Sequence, residues 1–70
     1  MNRSMIIRHL RQAEQAVAQG ARLVAEQEQR VSTLRRGGHD VAEAVRLLEL
    51  FRETQAQHIA FRDRVLGELE

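Results

Sequence analysis

Apolar residues recur at alternating steps of three and four along two long stretches, a spacing that predicts two amphipathic helices. The first set is Ile6, Leu10, Ala13, Val17, Gly20, Val24, Gln27, Val31 and Leu34. The second is Val41, Ala44, Leu48, Phe51, Gln55, His58, Arg62, Val65 and Leu69. Each is a heptad seam, the pattern by which one helix packs along another. Gly37 and Gly38 interrupt the pattern and are the strongest breaker in the chain. Arg35 and Arg36 precede them, where a helix C-terminus favours cations, and Asp40 with Glu43 follows as an N-cap in an approximate capping box. The expected architecture is all-α: one hairpin domain over 1–70, with helix 1 at about 4–36, a turn at 37–40 and helix 2 at about 41–68.

Folding the chain at the paired glycines brings the seams into one register. Residue numbers in every facing layer add to 75, from Leu34 with Val41 to Ile6 with Leu69. Gly20 falls opposite Gln55, and Ala13 opposite Arg62, so small residues face long ones. An interior glycine costs a helix about 1 kcal/mol against alanine, so Gly20 is expected to have a packing reason: close approach, or room for a bulky neighbour.

One seam buries too little to order a chain of this length, and the flanks suggest the remedy. Val45, Ile59 and Leu66 lie beside the second seam on one side, Leu47 and Phe61 on the other, with Leu50 further round. Helix 1 adds Ile7 on one flank and Leu23 on the other. A hairpin cannot cover all of these, and an apolar strip of that length marks a partner surface. The simplest partner is a second copy, giving a homodimeric antiparallel four-helix bundle.

Gln27, Gln55, His58 and Arg62 occupy seam positions that are ordinarily apolar. Buried polar groups of this kind penalise wrong pairings and so control register. Arg62, near the open end, is expected to reach outward, toward Glu14. The competing reading is a polar pocket that holds a metal or small ligand. His9, His39 and His58 are dispersed, and the Glu-x-x-His pattern of di-iron bundles is absent, so no metal site is expected within one chain. If His58 is buried and neutral, stability falls as the pH drops; if it pairs with Glu14, the sign reverses.

Charge changes the picture only locally. Eleven Arg and Lys positions, all of them Arg, face ten acids for a net charge of +1. That is a mixed surface, not a polycation. Arg3, Arg8 and Arg11 nevertheless precede the first acid, Glu14, and with Arg22 they form a candidate nucleic-acid contact. With only Phe51 and Phe61 as aromatics, stacking on single strands is disfavoured. Carboxylates and arginines four residues apart, such as Arg22–Glu26–Arg30 and Arg64–Glu68, read as surface pairs.

Catalytic chemistry has little to work with. There is no Cys, and Ser4 and Ser32 lie in no nucleophile motif. The glycine pair precedes His-Asp, not the Lys-Ser or Lys-Thr of a phosphate loop. No cofactor and no enzymatic activity are expected. No apolar run approaches the ~20 residues of a membrane span, and arginines interrupt the N-terminus before a signal-peptide core, so a cytoplasmic address is expected.

Gly38-His39-Asp40, then Ala44, Leu47-Leu48, Phe51, His58 and Arg62-Asp63-Arg64, resemble a group of short, uncharacterised bacterial helical-hairpin proteins. The likeness runs from about His9 to Leu69 and implies the hairpin fold and a bacterial origin; that group often carries Asp-Gly where this chain has Gly37-Gly38. In architecture alone the chain is similar to the Rop family of plasmid copy-number regulators, hairpins that dimerise into four-helix bundles and bind paired RNA loops. The RNA-binding motif of that family is not matched here residue by residue, so no residue role carries over. The expected function is that of a non-enzymatic interaction or regulatory module. Rop-like RNA or DNA binding through the Arg-rich face of helix 1 is the alternative, and metal or small-ligand binding in the bundle is a second.

Overall fold

A computed structural model describes residues 2–70. It contains two α-helices, α1 (Arg3–Arg36, 34 residues) and α2 (Ala42–Gly67, 26 residues), packed against each other as a hairpin. The resulting rod measures 54 × 14 × 14 Å.

The ends of the helices show why the chain bends where it does. Asn2 takes an extended conformation, and its Oδ1 accepts the Met5 amide at 2.8 Å, an N-cap that the periodicity alone passes over. At the other end of α1, the His39 amide donates to the Leu34 carbonyl and the Gly38 amide to that of Arg35. This double closure needs a left-handed residue just past the helix, and Gly38 supplies it at φ 77°. Gly37 stays right-handed at φ −80°. The two glycines are therefore unequal. Gly38→Ala is expected to lower stability by about 1–2 kcal/mol through left-handed strain. Gly37→Ala should stay within about 0.5 kcal/mol of the parent, because only the exposed His39 ring must shift. Urea titration of both variants checks the asymmetry; equal losses would contradict it.

The start of α2 differs from the expected capping box. Asp40 Oδ1 accepts the Ala42 amide at 3.0 Å, but Val41 holds the backbone N-cap position without a side-chain bond. Glu43 turns outward to Arg46 at 2.8 Å instead of back to the Asp40 backbone. The i,i+3 arginine offers a full charge where the backbone amide offers a dipole.

All eighteen seam positions are buried or half-buried, so the interface follows the expected register from end to end. Near the turn, Val31, Ala44 and Leu48 form a cluster of contacting buried side chains flanked by Val24, Leu34 and Val45. No described side chain is completely enclosed, however; even Val65 and Leu48 keep 4% and 6% of their surface. Two helices in a rod 14 Å across have an inside only along a line.

Candidate interaction surfaces

The polar seam residues are built into the packing by helix geometry. Each helical carbonyl points toward the residue four positions on. The Ala44 carbonyl therefore points toward the level of Leu48, the layer partner of Gln27, and Gln27 Nε2 donates to it at 3.0 Å. The Val17 carbonyl likewise points toward the level of Gly20, the layer partner of Gln55, and Gln55 Nε2 donates to it at 2.8 Å. One amide thus reaches from α1 to α2 and the other from α2 to α1. A slip of either helix by one turn breaks both bonds, which is how polar groups in an apolar seam hold register. Gly20 makes room for the second bond, since a Cβ there would lie 1.8 Å from Gln55 Oε1. That oxygen is buried with no donor.

The other two polar seam residues stand apart from this pair. Arg62 does not reach Glu14. Its guanidinium pairs with the adjacent Asp63 at 3.0 Å, a carboxylate it meets without stretching across the helix. His58 is half-buried beside Gln55, Leu23 and Thr54 around a cavity of about 150 Å³. Among the described residues it forms no ion pair with Glu14, and no group of three or more His, Cys, Asp or Glu gathers as a metal site.

The two flanks of the seam differ. On one, Leu23 is 47%, Leu47 40%, Leu50 55% and Phe61 45% exposed. An open groove of about 620 Å³ runs beside Leu34, Leu47 and Leu50, rimmed by Arg30, Asp40 and Glu43. On the other flank, Ile7 and Val45 are half-buried, and Ile59 and Leu66 are exposed at 37% and 39%. There Arg52 Nη2 meets Glu28 Oε2 at 2.8 Å, an ion pair that spans the two helices. It lies over a floor of small residues, Ala21, Ala25 and Ala56. The i,i+4 pairs Arg22–Glu26–Arg30 and Arg64–Glu68 are not formed among the described residues; Glu43–Arg46, Glu28–Arg52 and Asp63–Arg62 are the ion pairs present.

The outward ridges carry opposite charge. Helical phase puts Ser4, Arg8, Arg11, Gln15, Ala18, Arg22, Glu26, Gln29 and Arg36 on the side of α1 away from α2. That ridge has four arginines and one acid, Glu26. The corresponding ridge of α2 carries Glu43, Glu49, Glu53, Asp63 and Glu70 against Arg46 and Arg64. Of the four arginines singled out from sequence, the structure brings Arg8, Arg11 and Arg22 onto one exposed ridge. Arg3 is also exposed but continues the line of the seam below Ile6 and stands apart from them. No helix among the described residues is long and apolar enough to cross a membrane. Comparison with protein-family models, with curated proteins and with solved structures finds no match to this chain.

Proposed function

We propose that the chain is a small non-enzymatic interaction module whose working unit is a homodimeric four-helix bundle, presenting its outer ridges to another macromolecule. The observation that carries this reading is the openness of the single hairpin. No described side chain is completely buried, while seven large apolar residues, Met5, Leu23, Leu47, Leu50, Ile59, Phe61 and Leu66, stay exposed. Four of them, Leu23, Leu47, Leu50 and Phe61, share one flank, and a soluble monomer rarely leaves a contiguous apolar patch of that size open. Sedimentation equilibrium at micromolar concentration is expected to give twice the chain mass of 8.1 kDa, with a melting temperature that rises with concentration. A folded 8.1 kDa monomer under those conditions would sink the proposal.

A second reading, nucleic-acid binding, is favoured by one specific observation: Arg8, Arg11 and Arg22 share the outward ridge of α1, where Glu26 is the one acid. A dimer doubles that set. The test is binding to duplex and hairpin RNA or DNA across a salt series, since each phosphate contact steepens the dependence on salt. Absence of binding at low salt would end this reading and leave a protein partner.

A further inference from the structure

We infer that the second copy docks on the flank formed by Leu23, Leu47, Leu50 and Phe61, with the two turns at the same end of the bundle. This inference rests on the homodimer proposed above and assigns its surface and its orientation.

The area argues for an occupant of this size. A compact monomer of this mass presents about 4,500 Å². This chain presents 5377 Å². The excess is close to the ~800 Å² that each partner contributes to a standard interface.

The choice of flank follows from what a partner would displace. On the opposite flank a second copy would cover the Arg52–Glu28 pair, whose side chains are about half exposed and hydrated. Burying a pair already made brings a desolvation cost with no new attraction. The Leu23 flank carries at the groove edge only the Glu43–Arg46 pair, which lies within one helix and is far more exposed than Arg52–Glu28, and it has the larger groove and the more exposed apolar side chains.

The orientation follows from register and charge. Residue n of α2 lies level with residue 75 − n of α1. With the turns together, α1 of one copy lies beside α2 of the other at the same level. Phe61 then comes within two residues of the level of the partner's Ala16, and Leu23 within two of the partner's Thr54, large against small. Arg30 comes within two residues, about 3 Å along the axis, of the level of the partner's Glu43. His9 comes equally close to the level of the partner's Glu68. With the turns at opposite ends, α2 lies along α2. Overlapping the apolar patches then sets Asp40, which lines the groove, against the partner's Glu68, a like-charge pair made twice, while the Glu43–Arg64 approach that the same overlap gives lies further round each helix from the seam. Charge complementarity therefore selects the first arrangement.

Two measurements test this on the full chain. Sedimentation equilibrium compares Leu47→Arg/Leu50→Arg with Ile59→Arg/Leu66→Arg. The first pair is expected to weaken the dimer at least about 100-fold, and the second to leave it within about threefold. Because a dissociated variant can also unfold, the rim provides a gentler probe. Arg30→Glu should weaken association about tenfold, and Arg30→Glu/Glu43→Arg should restore it. Spin labels on His39→Cys should then report an intermolecular distance within about 25 Å, as expected for neighbouring helices in one bundle. A distance approaching the 54 Å length of the rod overturns the orientation. Loss of the dimer in the Ile59/Leu66 variant, alone or equally with the other, overturns the choice of flank while leaving the homodimer standing. A wild-type chain that stays monomeric removes both.

Discussion

Leu48→Ala is expected to destabilise the protein by about 2–5 kcal/mol, the range for truncating a buried leucine that leaves a cavity behind. Leu48 is the largest buried side chain in the cluster with Val31 and Ala44, and Val24, Leu34 and Val45 lean on it. Its neighbours have little freedom to collapse into the gap. Gln27 is tied to the Ala44 carbonyl across the seam, and the turn fixes both helices a few residues away. Small domains hold only about 5–15 kcal/mol in total, so the loss is a large share of what keeps the chain folded. Leu48→Met conserves volume and should cost less than about 1.5 kcal/mol. Urea unfolding followed by helical circular dichroism compares the two at one protein concentration. A loss under about 1 kcal/mol for the alanine variant would mean that the cluster near the turn is not the centre of stability.

Gly20→Val should also be severe, at about 2–4 kcal/mol. The Cβ alone would fall inside the space of the Gln55 amide, so Gln55 must leave. Its departure costs the bond to the Val17 carbonyl, about 1 kcal/mol, and the branched side chain overpacks the layer by a further ~1–3 kcal/mol. The cause can be isolated. In a Gln55→Ala background the valine meets open space, and most of the penalty should vanish. In that same background Gly20→Ala should stabilise, by up to about 1 kcal/mol of helix propensity. A double-mutant cycle measures the coupling. Equal costs for Gly20→Val in both backgrounds would show that Gln55 is not what the glycine accommodates.

The register of the hairpin was legible because two independent periodicities share one fold point at Gly37 and Gly38. Helical phase converts a residue number into a level along the axis, so the layer of Gly20 and Gln55 follows from arithmetic. The bonds that polar seam residues make were less accessible. Residue type marked Gln27 and Gln55 as register devices, but their acceptors are backbone carbonyls, which carry no sequence signature. Arg62 illustrates the same limit: an arginine has many reachable carboxylates, and it pairs with the adjacent Asp63 instead of Glu14 on the other helix. Asn2 was readable as an N-cap, a favoured residue three positions before the Met5 amide, but a cap ahead of an acid-free first turn is easily passed over. The inequality of the flanks lay beyond pattern alone. Leu47 and Ile59 occupy equivalent places beside the seam, and it takes the Arg52–Glu28 contact and the larger groove beside Leu47 to distinguish their surroundings.

The opposed ridges have a practical consequence. A net charge of +1 suggests a molecule indifferent to ion-exchange media. Yet the arginine side of α1 and the carboxylate side of α2 face opposite directions, so the rod has a dipole across its width. Such a molecule can be retained on both sulfonate and quaternary-amine resins near neutral pH, turning a different side to each. On any charged support it would lie in one preferred roll about its long axis.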